Sequence, residues 1–152
     1  MLNILYISIS GNTRSFVEDL QTYAAKKHQE DANEPLISLK EISEATPYAD
    51  ETQAYFAFVP TYLDGGNGID NGVDELMTNA MGEYIAYHKN RDYCLGVVGS
   101  GNRNFNEQYC LTAKMYARDY NMPFIGDYEL RGTSADVKRI YAILKEQQSK
   151  SA

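Results

Sequence analysis

The chain has 152 residues, 43% of them hydrophobic, and a formal net charge of −7. That length suits a single domain with a sizeable core, and the acidic balance argues against a nucleic-acid surface, which needs clustered Lys and Arg. No basic leader with an apolar stretch and no apolar run of about 18 residues is present, so neither an export signal nor a membrane span is expected, and the reading is a cytoplasmic protein.

Taken in chain order, the first apolar run covers residues 2–7 and reads as a strand. Ser8-Ile9-Ser10-Gly11-Asn12-Thr13 follows as a tight loop, and Phe16, Val17, Leu20, Tyr23 and Ala24 then fall at the spacing of one buried helix face. A short strand is expected at residues 36–39. The polar stretch 41–51, broken by Pro47, reads as a loop in place of a full crossover helix. The next strand covers residues 54–59, followed by a glycine-rich loop at 60–68. Val73, Leu76, Met77, Ala80 and Tyr84 make a second helical stripe.

The fourth strand is expected at residues 93–98, with a second glycine-rich loop at 99–105. A third stripe follows: Tyr109, Cys110, Ala113, Tyr116, Ala117 and Tyr120. Pro123 opens a last strand at residues 124–130, where a missing N–H is tolerated. Thr133 then offers an N-cap hydroxyl with Asp136 in the first turn, ahead of the stripe Val137, Ile140, Tyr141 and Leu144. Residues 145–152 read as a polar tail that frays. Strand and helix therefore alternate, which predicts one α/β unit spanning 1–152, with a parallel sheet, helices on both faces and right-handed crossovers.

In such a sheet a ligand lies beyond the carboxyl ends of the strands, where strand order reverses. The loop at 8–13 lies there. Its hydroxyls, Gly11 and the N–H groups at a helix start suit a phosphate, because unpaired donors and aligned peptide dipoles attract an anion. It contains no lysine and matches neither G-x-x-x-x-G-K-[ST] nor G-x-G-x-x-G. The two later loops each carry an aromatic residue, Tyr62 or Phe105, among glycines. A phosphate site beside two aromatic-bearing loops suits flavin mononucleotide, FMN. Backbone groups of Gly65, Gly66, Gly101 and Asn102 would then address the ring edge. His28 and His88 lack metal-ligand spacing and read as surface residues near helix ends, and no metal site is expected. Cys94 and Cys110 read as reduced structural thiols, too far apart for a C-x-x-C motif.

The loop at 8–13 resembles the T-x-T-G-x-T phosphate loop of flavodoxins, with serines in the first two hydroxyl positions. Over nearly the whole chain the pattern is similar to the NrdI family, flavodoxin-like activators of class Ib ribonucleotide reductase. The residues that carry this are Gly99-Ser100-Gly101-Asn102-Arg103-Asn104-Phe105 with Tyr109-Cys110, Pro60-Thr61-Tyr62 with the following glycines, and Tyr128-Glu129-Leu130-Arg131-Gly132-Thr133. The resemblance implies a flavodoxin-like doubly wound fold with a five-stranded parallel sheet of order 2-1-3-4-5.

It also implies an FMN that is reduced by a flavin reductase or flavodoxin-type donor and reacts with dioxygen. The resulting superoxide or peroxide passes to the reductase small subunit, where a dimanganese-tyrosyl radical cofactor is assembled. By this resemblance Ser8, Ser10, Gly11, Asn12 and Thr13 bind phosphate and Tyr62 and Phe105 flank the ring. Gly65, Gly66 and Asn102 approach its edge, and Thr61, Ser100 and Gly101 belong to the same cofactor-binding set. A one-electron carrier flavodoxin, or a divergent paralogue serving another partner, is the alternative. A receiver domain is disfavoured because Ser8 and Pro60 stand where it needs acids.

Overall fold

A computed structural model describes residues 1–61, 79–101 and 110–151. Five strands form a parallel sheet in the order β2-β1-β3-β4-β5: β1 (Leu2–Tyr6), β2 (Ile37–Glu41), β3 (Tyr55–Pro60), β4 (Cys94–Gly101) and β5 (Phe124–Glu129). Four helices, α1 (Asn12–Glu30), α2 (Asn79–Ala86), α3 (Leu111–Asp119) and α4 (Ser134–Lys150), cover its two faces. This is the doubly wound arrangement expected from the alternation of strand and helix.

The period of two along each strand divides the core. Leu2, Ile4 and Tyr6 of β1 and Phe56 and Phe58 of β3 pack with Phe16, Val17 and Leu20 of α1 and Val137, Ile140 and Leu144 of α4. Leu5 and the residues between those of β3 (Tyr55, Ala57, Val59) face Met81, Tyr84 and Ile85 of α2 and Ala113 and Tyr116 of α3. β3 is buried along its whole length, as a strand covered on both faces must be. The expected stripes of α1 and α4 form these contacts, whereas Val73, Leu76, Met77 and Tyr109 lie outside the described residues.

Most strand boundaries shift by one or two residues from the sequence reading, and two elements depart further. β4 begins at Cys94 after a 3₁₀ turn, Asn90–Tyr93, and continues to Gly101, so the first three residues of the expected loop are strand. Gly99 is there for packing: a Cβ on it would lie 2.6 Å from Ala113 Cβ, so α3 can sit on the strand only over a glycine. The expected frayed tail is helical through Lys150, held where Lys145 reaches Glu34 and Gln147 Nε2 donates to Leu95 O at 3.0 Å.

The segment between β2 and β3 contains no helix, in line with the loop expected there. A buried side chain replaces the missing packing. Asn90 Nδ2 donates to Ala49 O and Tyr84 O, both at 2.9 Å, and its Oδ1 accepts the Glu51 N–H at 2.8 Å. The Thr133 cap is formed as a full capping box, with Thr133 Oγ1 accepting the Asp136 N–H and Asp136 Oδ2 accepting the Thr133 N–H.

Candidate functional site

Strand order reverses at β1, which lies between β2 and β3. Beyond its carboxyl end the chain turns through residues 8–11 into α1. Gly11, the N-cap, has φ +95°, a conformation side chains rarely adopt, and the direction its Cβ would take is open. A glycine has no side chain to cap with, so the cap comes from upstream: Ser8 Oγ accepts the Arg14 N–H at 3.2 Å, which leaves the Ser8 proton for a further acceptor.

The N–H groups of Gly11, Asn12 and Thr13 find no acceptor among the described residues. Thr13 is more telling still. Its residue is 1% exposed, and its hydroxyl, Oγ1, has no hydrogen-bond partner among the described residues. A buried hydroxyl without a partner costs about 1–3 kcal/mol, and native proteins keep such groups chiefly where something else completes them. Unpaired N–H groups, a proton-bearing hydroxyl on Ser8, an orphaned hydroxyl on Thr13 and an open approach over Gly11 form a donor set that fits a phosphate group.

The structure also fixes the ends of the two other loops. Thr61 N donates to Ser100 O at 3.0 Å, and Thr61 Oγ1 accepts the Thr112 N–H at 3.1 Å. Ser100 is buried and paired in register with Pro60 and Tyr128. The Gly101 carbonyl, expected at a ring edge, accepts the Leu130 N–H at 2.9 Å. Of the expected cofactor residues, Ser8, Ser10, Gly11, Asn12, Thr13, Thr61, Ser100 and Gly101 all lie at the carboxyl end of the sheet. Tyr62, Gly65, Gly66, Asn102 and Phe105 lie outside the described residues.

Charge around the cradle was not anticipated. Arg14 donates from Nε and Nη2 to Glu41 Oε1 at 2.9 and 2.6 Å, so the first cation of α1 is already neutralised. Burial, and then the adjacent Glu41, push the Tyr6 phenol above its ordinary pKa. The histidines lie where expected, near helix ends: His28 Nδ1 is 2.8 Å from Glu34 O, and His88 Nδ1 is 2.7 Å from Asp50 Oδ1. Neither cysteine forms a disulfide, and burial pushes the Cys94 thiol up to about 12. Among the described residues no group of three or more His, Cys, Asp or Glu side chains is placed to hold a metal ion, and no helix is long and apolar enough to cross a membrane.

A family model described as NrdI flavodoxin-like matches residues 4–142. The chain belongs to that family. Its relatives include an NrdI-like protein of Streptococcus pyogenes, 48% identical over 94% of this chain and 91% of the relative, and the protein NrdI of Mycoplasmopsis pulmonis, 30% identical over 93% and 82%. Among solved structures, a short-chain flavodoxin associated with a bacterial microcompartment aligns over 100% of both chains with TM-score 0.68 and 16% identity. Flavodoxin 2 from Bacillus cereus aligns over 97% of this chain and 99% of its own, with TM-score 0.64 and 15% identity. These structural likenesses establish the flavodoxin fold for this NrdI-family chain.

Proposed function

We propose that this NrdI-family chain is a single-domain cytoplasmic protein that binds FMN and supplies a flavin-derived oxidant, superoxide or peroxide, to the small subunit of class Ib ribonucleotide reductase. Family membership supports the partner. The observation that carries the cofactor is the buried Thr13 hydroxyl at the start of α1, which, like the N–H groups beside it, finds no partner among the described residues. FMN, when bound, supplies one- and two-electron chemistry, including the reduction of dioxygen after a flavin reductase or flavodoxin-type donor has charged it.

The chain's own part is binding and placement. Ser8, Ser10, Gly11, Asn12 and Thr13 hold the phosphate. Tyr62 and Phe105 flank the ring, and Gly65, Gly66, Gly101 and Asn102 line its edge. Thr61 and Ser100 tie the ends of the two ring-side loops to each other. No side chain is required to transfer a proton.

The test is reconstitution with FMN, anaerobic reductive titration followed by absorbance, and then exposure to air with superoxide detection. Uptake of two electrons without a resolved intermediate plateau, followed by rapid superoxide release, upholds the proposal. Two well-separated one-electron steps would assign the chain to the electron carriers, and failure to take up flavin would reject both readings. A Ser10→Asp variant, which places a carboxylate in the cradle, is expected to fold and remain colourless.

A further inference from the structure

The cradle presents an unusual electrostatic problem. A phosphate monoester carries a charge near −2 at neutral pH, the chain itself is at −7, and residues 8–13 contain no cation. Peptide dipoles offset part of this, on the order of half a charge. Arg14 is already paired with Glu41, so its charge is largely compensated there.

A second arginine reaches the same turn of α1 from the opposite end of the sequence. Arg131 Nη2 donates to Ser15 Oγ at 3.1 Å, and Ser15 N donates to Gly11 O at 3.0 Å, so Arg131 is one residue removed from the backbone of the cradle. Among the described residues Arg131 has no carboxylate partner, and the first turn of α1 contains no acid. Asp136, the acid that follows it in sequence, is held by Arg139 and by the Thr133 cap.

The backbone that delivers Arg131 is tied on both sides of it. Leu130 N is bonded to Gly101 O and Gly132 N to Glu129 O, and both Leu130 and Gly132 have positive φ, 54° and 74°. A Cβ on Gly132 would lie 2.5 Å from the Phe16 ring, which itself stacks on Tyr128 at 3.7 Å. A leucine held at positive φ is uncommon and strained, so the turn is held by its surroundings against its local preference. The outcome is an exposed cation with unused donors fixed over the first turn of the phosphate-binding helix.

We infer that Arg131 supplies the positive charge the cradle lacks, and that it makes the chain selective for phosphorylated flavin over riboflavin. This rests on the reading that the cradle takes the FMN phosphate. Arg131 is anchored through Ser15 and acts on the dianion by charge and by its remaining N–H donors, with the planar fork suited to phosphate oxygens.

The test is equilibrium titration of the apo-protein with FMN and, separately, with riboflavin, read by quenching of flavin fluorescence. Wild type is compared with Arg131→Gln, Arg131→Lys, Ser15→Ala and the control Lys138→Gln, whose lysine is exposed on α4. Circular dichroism and thermal melts verify that each variant is folded. The expected result is a loss of FMN affinity on the order of tenfold in Arg131→Gln, with riboflavin affinity unchanged. Arg131→Lys should recover part of the loss, Ser15→Ala should show a smaller one, and Lys138→Gln should match wild type.

If wild type prefers FMN to riboflavin but folded Arg131→Gln keeps that preference in full, the role of Arg131 is overturned while the FMN reading stands. Equal loss for both flavins would also overturn it, by showing a structural role for the arginine. If wild type binds FMN and riboflavin equally, or neither, the phosphate cradle itself is wrong and the inference fails with it.

Discussion

Thr61 Oγ1 accepts the Thr112 N–H at 3.1 Å, so α3 takes its N-terminal cap from the end of β3 and not from its own N-cap residue, Cys110, which makes no side-chain cap. This one hydroxyl ties together the two segments that bound the ring-side loops. It also makes Thr61 a structural residue before any cofactor contact is considered. Thr61→Val should destabilise the apo-protein by about 1 kcal/mol, as the loss of a cap does, and Thr61→Ser should restore most of it. Urea unfolding of the apo-protein checks this. A residue that served only the cofactor would leave that midpoint unmoved.

Thr13 should behave in the opposite way. Its hydroxyl is buried without a partner among the described residues, so replacing it with the near-isosteric valine relieves a desolvation cost in the apo-protein. Thr13→Val is expected to raise apo stability by about 1 kcal/mol and to weaken FMN binding. A thermal melt of the apo-protein paired with a flavin titration gives both signs in one preparation. A variant that is less stable and binds FMN normally would remove Thr13 from the site.

Gly99 separates packing from binding. Because a Cβ there would come within 2.6 Å of Ala113 Cβ and 3.1 Å of Cys110 Cβ, Gly99→Ala has to push α3 off the sheet. Overpacking of this kind costs about 1–3 kcal/mol. The expected outcome is a lower urea midpoint in the apo-protein, with flavin affinity changing only as far as α3 shifts. Normal apo stability with reduced affinity would reassign Gly99 to the ligand.

The acid limb of the stability curve should report on Glu34. Lys145 Nζ donates to its Oε2 at 2.8 Å, and this hydrogen bond holds the Glu34 carboxyl below its ordinary 4.5, against the opposing effect of burial. A carboxyl whose pKa is lowered by folding contributes stability above its unfolded pKa and loses it as pH falls through the lower, folded value. Lys145→Met should therefore lie below wild type at neutral pH. The two curves should converge once the pH falls below the folded pKa of Glu34. Urea midpoints measured from neutral pH down to about pH 3 test this. Parallel curves across the whole range would show that the pair is not the cause.

The sequence by itself determined the layer order of this protein. Apolar runs alternating with helical stripes admit few arrangements other than a parallel sheet covered on both faces, and Thr133 with Asp136 marks the start of α4 in the sequence alone. The loop at residues 8–13 was likewise legible, because its hydroxyls and glycine have local reasons to stand at a helix start.

Tertiary structure decided what depends on segments far apart in the chain. Gly99 looks like a loop glycine until α3 is laid against it, Thr61 acquires its role only when Thr112 is brought beside it, and the polar tail is helical because Leu95 and Glu34 lie within reach of Gln147 and Lys145. Local propensity and periodicity encode which elements form. Close approach, capping across elements and the placing of Arg131 over Ser15, 116 residues away in sequence, are set only by packing.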